Sequence, residues 1–360
     1  MDTEPPPPSP IEDYYMEASP PAAGEPYPGP TEYVTPRSLF SCAALRSLRL
    51  GGCWLDVPPT TAALPSLATL HLTRVTGRRD AVQDLVDACP RLADLKLEAC
   101  RDLERILVPD ARLRRLALRC CHELADVFVG DSSELRAFEY RGGVPGPSLL
   151  NMPQPSEISL CTLDFCGVEP AEPPEFTFLL LYARVERLHL TSARLLGRGV
   201  FDHGVLYPYG LRFLTFPELR NLELTGMLPE DDAAAAIAAV TRILERTPRL
   251  GRLENGYSSR YSDEEEDMDI HAAHQLRYDQ HATLAVPDAE IPCLREINLV
   301  HYQGAMAHAQ RMLAKFLLRN APVVGEVCCE FARGPLAIQT DLMEEIKGWV
   351  MNKSANMIFF

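Results

Sequence analysis

The stretch Leu92–Cys100, LADLKLEAC, shows the pattern from which the fold is predicted. Apolar residues stand at the spacing apolar-x-x-apolar-x-apolar, and a cysteine follows three residues after the last of them. Eight further copies are Leu45/Leu48/Leu50, Leu67/Leu70/Leu72, Leu113/Leu116/Leu118, Leu135/Phe138/Tyr140, Leu160/Leu163/Phe165, Val185/Leu188/Leu190, Leu219/Leu222/Leu224 and Leu294/Ile297/Leu299. The first five copies begin 22, 25, 21 and 22 residues apart. Such alternation predicts one strand per copy.

This period lies within the range of leucine-rich repeats, about 20–29 residues. Weaker copies at Leu250/Leu253 and Val324/Val327 raise the number of units to about ten or eleven. We therefore predict an α/β leucine-rich repeat solenoid, a horseshoe with a parallel concave β-sheet and a helical or irregular convex side. Each unit also needs a return segment, the stretch that leads over the convex side from one strand to the next. Four return segments have the apolar spacing of a helix: Asp80–Cys89, Asp232–Arg246, Ala305–Asn320 and Asp341–Met351. Asp341 and Glu344 have the spacing of a capping box.

A second periodic position supports this register. The residue three after the last apolar residue of each unit is mostly small or apolar, and we predict that it forms a buried ladder: Cys53, Val75, Cys100, Cys121, Gly143, Val168, Ala193, Met227 and Tyr302. Free cysteine packs as a small hydrophobe, so this ladder accounts for three of the 11 cysteines without a metal. Their odd number favours reduced thiols in the cytoplasm, the nucleus or both.

Charge is distributed unevenly along the chain. The formal net charge is −15, yet residues 1–36 hold seven acidic residues, no Lys or Arg, and eleven of the 31 prolines. We predict four regions: a disordered tail over 1–36, leucine-rich repeats over 37–254, an acidic loop over 255–290, and terminal repeats with a C-terminal cap over 291–360. When the acidic residues of the tail and of the acidic loop are set aside, the rest of the chain is nearly neutral. A nearly neutral repeat region argues against a nucleic-acid partner. The longest apolar stretches are too short to predict a membrane span.

The sequence contains none of the common catalytic or nucleotide-binding motifs, so we expect neither an enzyme nor a cofactor. The adjacent pairs Cys120-Cys121 and Cys328-Cys329 would point to opposite faces of a strand, which is poor geometry for zinc. Three histidines near the acidic run Asp263–Asp269 could bind a divalent metal if that segment folds: His271, His274 and His281. An acidic loop with incidental histidines is the preferred interpretation.

Several strings resemble plant F-box/LRR-repeat proteins of the FBD-like group. They are CTLDFCG (Cys161–Gly167), ERLHLTSARL (Glu186–Leu195), FPELRNLELTG (Phe216–Gly226) and LREINLVHYQG with AKFLLRNAPVV (Leu294–Val324). The resemblance implies the substrate-recognition part of an SCF-type ubiquitin ligase receptor, a protein–protein interaction module. The alternative is a stand-alone leucine-rich scaffold or sensor fragment unrelated to ubiquitin. We expect no F-box within the proline-rich residues 1–36, so no residue is assigned to a Skp-type adaptor.

Outward positions of the predicted strands are the candidate partner-binding residues. The middle outward position of successive units is Arg49, His71, Lys96, Ala117, Glu139, Asp164, His189, Glu223, Glu254 and Asn298, and the next column adds Glu98, Arg119 and Arg141. The first half is basic on balance and the second half acidic. We predict that a target protein binds at Arg49, His71, Lys96, Glu98, Arg119, Glu139 and Arg141. An acidic segment of that protein would contact the four basic residues Arg49, Lys96, Arg119 and Arg141. The alternative is that these are ordinary solvated positions of a sheet.

Overall fold

A computed structural model shows the repeat strands side by side in one parallel sheet. The structure describes residues 33–58, 61–109, 112–130, 133–143, 149–152, 158–165, 184–192, 215–226, 233–256, 286, 288–304, 308–332 and 336–360. Within these ranges the main sheet contains twelve strands: β2 (Ser47–Gly51), β4 (Thr69–Thr73), β6 (Asp94–Glu98), β8 (Arg115–Arg119), β10 (Ala137–Gly142), β12 (Leu160–Phe165), β13 (Arg187–Ser192), β14 (Asn221–Gly226), β15 (Arg252–Gly256), β16 (Glu296–Tyr302), β17 (Glu326–Phe331) and β18 (Asn356–Phe359). They follow one another in chain order, which confirms the predicted repeat architecture.

Most strands turn two apolar side chains into the core, whereas β15 turns Leu253 and the polar Asn255 inward, and pairing places equivalent leucines beside each other. Leu70, Leu95 and Leu116 are consecutive partners across β4, β6 and β8. All three are 0–1% exposed. Burying one such side chain contributes about 1.5–3 kcal/mol relative to leaving it in water. Because each leucine packs against the units before and after it, the core runs along the sheet as a continuous stack.

Short strands occupy part of the side where the sequence predicts turns or irregular coil. They form two further parallel sheets, β1 (Tyr33–Val34) with β3 (Cys53–Leu55) and β5 (Thr76–Gly77), and β7 (Arg105–Val108) with β9 (Asp126–Val129) and β11 (Leu150–Asn151). Ile106 and Val108 of β7 are fully buried, as are Val127 and Val129 of β9. This alternation is itself a strand pattern, which the prediction for the return segments overlooked.

A 3-10 helix at Arg37–Ser41 and four α-helices complete the described elements. The α-helices are α1 (Ala81–Asp87), α2 (Ala233–Glu245), α3 (His308–Asn320) and α4 (Leu336–Trp349). The first three lie inside the predicted helical segments. The fourth begins five residues before Asp341, so Asp341 and Glu344 lie within the helix and the predicted capping box is wrong. In the sequence Pro335 directly precedes this helix, and proline favours a helix start because its fixed φ suits the first turn.

The sixth repeat lies in a different register from the predicted one. Cys161 pairs with Phe138 on one side and Leu188 on the other, and both neighbours are inward residues. Cys161 and Leu163 are 0% exposed. The unit is therefore Ile158/Cys161/Leu163, two residues earlier than Leu160/Leu163/Phe165. As a result Thr162, not Asp164, is the middle outward residue of this strand.

The predicted ladder is confirmed where the structure describes it, with one exception. Cys53, Val75, Cys100, Cys121 and Tyr302 are at most 6% exposed. The residue before each of them has a left-handed backbone, with φ between 51° and 58° at Gly52, Arg74, Ala99, Cys120 and His301. This conformation turns the chain at the end of the strand so that the next side chain enters the core. Gly143 is exposed and is not part of the ladder; Val168, Ala193 and Met227 lie outside the described residues.

Within the described residues, the repeat region begins at residue 33, a few residues before the boundary predicted between the tail and the repeats at residue 36. Tyr33 and Val34 pair with Cys53 and Trp54. Thr35 is 1% exposed, and its Oγ1 donates a hydrogen bond to the carbonyl of Trp54 at 3.1 Å. Residues 33–36 therefore belong to the first repeat, while 1–32 lie outside the described residues. The predicted loop 255–290 is also mostly outside them, although Asn255 and Gly256 end β15.

Residues after β16 form a C-terminal block of two helices and two strands. Strand β18 extends the sheet by one unit beyond the predicted last copy at Val324/Val327. The rings of Phe331 and Phe359 stack with centroids 5.8 Å apart, which joins β17 to β18. Arg311 of α3 forms a buried ion pair with Glu345 of α4, so the two helices are also joined.

Candidate functional site

The candidate binding surface is the outward side of the main sheet, which we call the open face. Its side chains fall into three columns across the strands, because successive residues of a strand point to opposite sides. The first column contains Ser47, Thr69, Asp94, Arg115, Ala137, Leu160, Arg187, Asn221, Arg252, Glu296, Glu326 and Asn356. The second contains Arg49, His71, Lys96, Ala117, Glu139, Thr162, His189, Glu223, Glu254, Asn298, Cys328 and Ile358. The third, from β2 to β15, contains Gly51, Thr73, Glu98, Arg119, Arg141, Asp164, Thr191, Thr225 and Gly256.

All seven predicted partner-binding residues lie on this open face. The second column holds Arg49, His71, Lys96 and Glu139, and the third holds Glu98, Arg119 and Arg141. Strands β2 to β10 thus bring them together on one continuous surface. Their role in binding a partner stays a prediction.

Most of the basic side chains among them already have carboxylate partners on the same face. The pairs are Lys96–Glu98 (Nζ to Oε2, 2.7 Å), Arg119–Glu139, and Arg141–Asp164 (Nε to Oδ2, 3.2 Å). Arg115 Nη2 lies 2.6 Å from Asp94 Oδ2, and His71 Nε2 lies 3.7 Å from Asp94 Oδ1. Exposed pairs of this kind contribute at most about 1 kcal/mol each. They orient the side chains, and an incoming ligand must compete with them.

Local pKa values follow from these contacts. The hydrogen bond from Lys96 lowers the pKa of Glu98, and the charges of Arg119 and Arg141 act in the same direction. The hydrogen bond to Glu139 raises the pKa of Arg119. At neutral pH the carboxylate of Glu98 and the guanidinium of Arg119 are therefore both ionised, so this half of the face presents both signs of charge.

Arg49 differs from the other predicted bases. Its side chain is exposed and has no ion pair with any residue that the structure describes. It stands at the β2 edge of the main sheet, one strand from His71. A carboxylate from outside can bind Arg49 without displacing an internal partner.

The sign of the open face changes along the sheet, as the sequence predicts. Across β2–β10 the three columns hold five basic residues, Arg49, Lys96, Arg115, Arg119 and Arg141, against Asp94, Glu98 and Glu139. Across β12–β17 the first two columns hold Glu223, Glu254, Glu296 and Glu326 against Arg187 and Arg252. Glu296 and Glu326 stand two residues before the middle column on their strands, so they are absent from the predicted outward residues.

Buried cysteines serve the packing of the repeats. Burial raises the pKa of the Cys89 thiol to about 12 and that of Cys329 well above the ordinary value, so both are protonated at neutral pH. Cys121 donates to the carbonyl of Leu97 at 3.7 Å, in the preceding unit. Among the described residues, no group of three or more His, Cys, Asp or Glu side chains is arranged to hold a metal ion. The predicted loop histidines His271, His274 and His281 lie outside those residues.

The helices that the structure describes include none with the length and apolar character needed to cross a bilayer.

Comparison with known proteins relates this arrangement to one group of repeat proteins. Residues 24–148 match the family model described as "FBD-associated F-box protein At5g56370, LRR repeats". The chain is 28% identical over 298 residues to the F-box/FBD/LRR-repeat protein At4g00315 of Arabidopsis thaliana, an alignment that covers 79% of this chain and 62% of that protein. The chain is similar in sequence to F-box/FBD/LRR-repeat proteins over most of its length.

Two further Arabidopsis thaliana proteins support this relationship. The F-box/FBD/LRR-repeat protein At1g13570 is 22% identical over 320 residues, 88% of this chain and 68% of that protein. The F-box protein At4g09920 is 39% identical over 94 residues, 25% of this chain and 29% of that protein. The chain spans less than two thirds of the length of At4g00315. No solved structure matches the chain.

Proposed function

We propose that this chain is the target-recognition part of an F-box-type (SCF) ubiquitin ligase receptor. The observation that carries the proposal is the similarity over 298 residues to a protein named as an F-box/FBD/LRR-repeat protein. A parallel repeat sheet with a charged open face suits this role, since it presents many side chains on rigid strands to a protein partner. The proposed activity is binding, and the chemistry of ubiquitin transfer belongs to other subunits.

Purification of the tagged protein from plant cells tests the link to ubiquitin. Recovery of a Skp-type adaptor and a cullin with the protein, identified by mass spectrometry, supports the proposal. A protein that purifies without either subunit contradicts the proposal and favours a stand-alone leucine-rich scaffold or sensor.

We further propose that the target places an acidic segment across β2–β10, with Arg49, Lys96, Arg119 and Arg141 as contacts. Support comes from the excess of basic residues on this part of the open face. Because Lys96, Arg119 and Arg141 are already paired, the ligand exchanges with their internal carboxylates, whereas Arg49 binds it directly. Electrostatic complementarity of this kind sets register and association rate more than affinity.

A labelled hexaglutamate peptide tests this contact. In the double variant Lys96→Glu/Arg119→Glu we expect its affinity to fall by about ten-fold or more in low salt, measured by fluorescence anisotropy. The matched control is Arg249→Glu, since Arg249 pairs with Glu218 outside the three columns. Circular dichroism checks that each variant is folded. Equal binding by all folded variants contradicts the proposed contact.

A further inference from the structure

The C-terminal half of the open face carries glutamates in an arrangement that the fold does not require. We call Glu223 of β14, Glu254 of β15, Glu296 of β16 and Glu326 of β17 the acidic patch. Glu223 is the direct cross-strand partner of Glu254, and Glu296 is the direct partner of Glu326. Like charges in directly opposite positions destabilise a sheet. These two pairs therefore cost stability in the free protein.

Basic residues nearby compensate only part of this charge. Arg252 lies between the two pairs, with Nη2 3.1 Å from Glu254 and Nε 3.2 Å from Glu296. His189 on β13 has its Nε2 3.3 Å from Glu223. No ion pair joins Glu326 to a basic side chain among the described residues. This contrasts with the N-terminal half, where Lys96, Arg119 and Arg141 each have a carboxylate partner.

A buried amide within the patch provides a second, independent observation. Asn298 of β16 is only 7% exposed, and its Nδ2 donates to Glu254 at 3.2 Å and to Glu296 at 3.4 Å. Its Oδ1 is buried and has no hydrogen-bond partner within the described part of the chain. A buried acceptor without a donor is unfavourable. The carboxylates and this oxygen are all acceptors, so the patch lacks donors as well as positive charge.

We propose that the acidic patch binds a basic segment of the target protein, with its arginine or lysine side chains donating to the four carboxylates and to Asn298 Oδ1. The proposal rests on the proposed use of the open face for target binding and adds a second contact of opposite sign. Arg252 already shows that these carboxylates accept a guanidinium. A bare metal ion fits less well, because the described residues include no metal-binding cluster.

The size of the patch sets the length of the segment. Four neighbouring strands spaced at about 4.8 Å span about 14 Å, and an extended chain covers that distance in about four or five residues. Two basic side chains on alternate residues would then face the sheet together. The ligand class is a short, extended Lys- or Arg-containing peptide segment.

The experiment uses the full chain and a labelled pentapeptide, Ala-Arg-Ala-Arg-Ala, with Ala-Gln-Ala-Gln-Ala as the neutral comparison. The variant Glu223→Gln/Glu326→Gln keeps both contacts of Arg252. We expect its affinity for the arginine peptide to be about ten-fold lower than that of the original protein. We also expect added salt to weaken its binding less than it weakens binding by the original protein. We expect the same variant to unfold at higher urea concentration, because it removes both like-charge pairs. The control is Glu218→Gln, whose carboxylate pairs with Arg249 outside the three columns.

Two results overturn the inference: equal binding of the arginine peptide by the Glu223→Gln/Glu326→Gln variant and the original protein, or equal binding of the arginine and glutamine peptides. The outcome is independent of the other proposals. If hexaglutamate does not bind, or if the ubiquitin ligase subunits do not co-purify, the arginine peptide result still stands. If only the arginine peptide does not bind, only the proposed contact at the acidic patch is wrong.

Discussion

The smallest feature that shapes this protein is one backbone conformation repeated at the ends of main-sheet strands. Glycine occupies this left-handed position in the first repeat, where Gly52 has φ 58°. Ala99 adopts it in another repeat, with φ 52°. The amide of Ala99 donates to the carbonyl of Arg119 at 2.7 Å, which continues the hydrogen bonding between strands beyond β6. The ladder residue that follows is buried, so the fold holds a conformation that non-glycine residues disfavour by about 1–2 kcal/mol.

Gly52→Ala isolates this conformational cost. A Cβ at Gly52 would meet no atom within 4 Å, so only the left-handed backbone opposes the substitution. We expect the free energy of unfolding to fall by about 1 kcal/mol, measured by urea denaturation. The control is Gly251→Ala: its nearest neighbour is the Arg220 carbonyl oxygen at 3.8 Å, an ordinary contact, and no left-handed φ is involved. That variant should be neutral or slightly more stable. Unchanged stability of Gly52→Ala would contradict the argument.

At the scale of elements, the buried ion pair between α3 and α4 determines how the C-terminal block packs. Arg311 and Glu345 side chains are 8% and 4% exposed, with Arg311 Nε 2.7 Å from Glu345 Oε1. The guanidinium also lies 5.9 Å from the Trp349 ring. Charges at this depth are stable only as a pair, because removal of one partner leaves the other without solvent or counter-charge.

Arg311→Met should therefore destabilise the protein by about 3–5 kcal/mol at pH 7. The double variant Arg311→Met/Glu345→Met should regain most of this loss, since two apolar side chains of similar length fill the same space without a buried charge. Urea denaturation of the four members of the cycle measures both effects. Additive losses in the double variant would show that the pair does not act as a unit.

The same pair predicts a pH dependence. Burial raises the pKa of Glu345, against the opposing effect of Arg311. The folded protein then holds this proton more tightly than the unfolded chain, so the stability that Glu345 contributes is present at low pH and is lost as pH rises through its raised pKa. In Arg311→Met the largest opposing effect is gone and only the weaker effect of Lys315 remains, so we expect the deficit to be smaller at pH 5 than at pH 7. Arg249→Met, which breaks an exposed pair, should show no such change.

At the scale of the whole molecule, the twelve strands form an essentially one-dimensional array. Each strand of the main sheet pairs only with the units before and after it. Stability is then a sum of repeat and interface contributions, and the ends lack one neighbour.

Amide hydrogen exchange should show this arrangement directly. We expect strong protection in inner strands such as β6 and β8, whose leucines are buried from both sides. Protection should be weaker in β2 and β18, the two edges of the main sheet. Uniform protection from β2 to β18 would mean that the array unfolds as one cooperative unit, contrary to this expectation.

The repeat architecture could be predicted because its signals are local. Inward and outward residues alternate along each strand, and a fixed repeat length places Leu70, Leu95 and Leu116 in register without knowledge of any contact. For the same reason the positions of the seven candidate partner-binding residues on the open face followed from counting along the chain.

Pairing between strands decided what local pattern left open. The spacing apolar-x-x-apolar-x-apolar occurs twice around β12, at Ile158/Cys161/Leu163 and at Leu160/Leu163/Phe165. Two registers therefore fit the sequence until pairing with Phe138 and Leu188 selects the first. The cross-strand ion pair Arg119–Glu139 and the like-charge pairs Glu223–Glu254 and Glu296–Glu326 join residues 20 to 31 positions apart. The amino-acid sequence by itself determined the repeat and its inward face, because side-chain alternation acts within a strand. Only the tertiary structure determined which charges meet, because electrostatic interaction depends on distance in space rather than on separation along the chain.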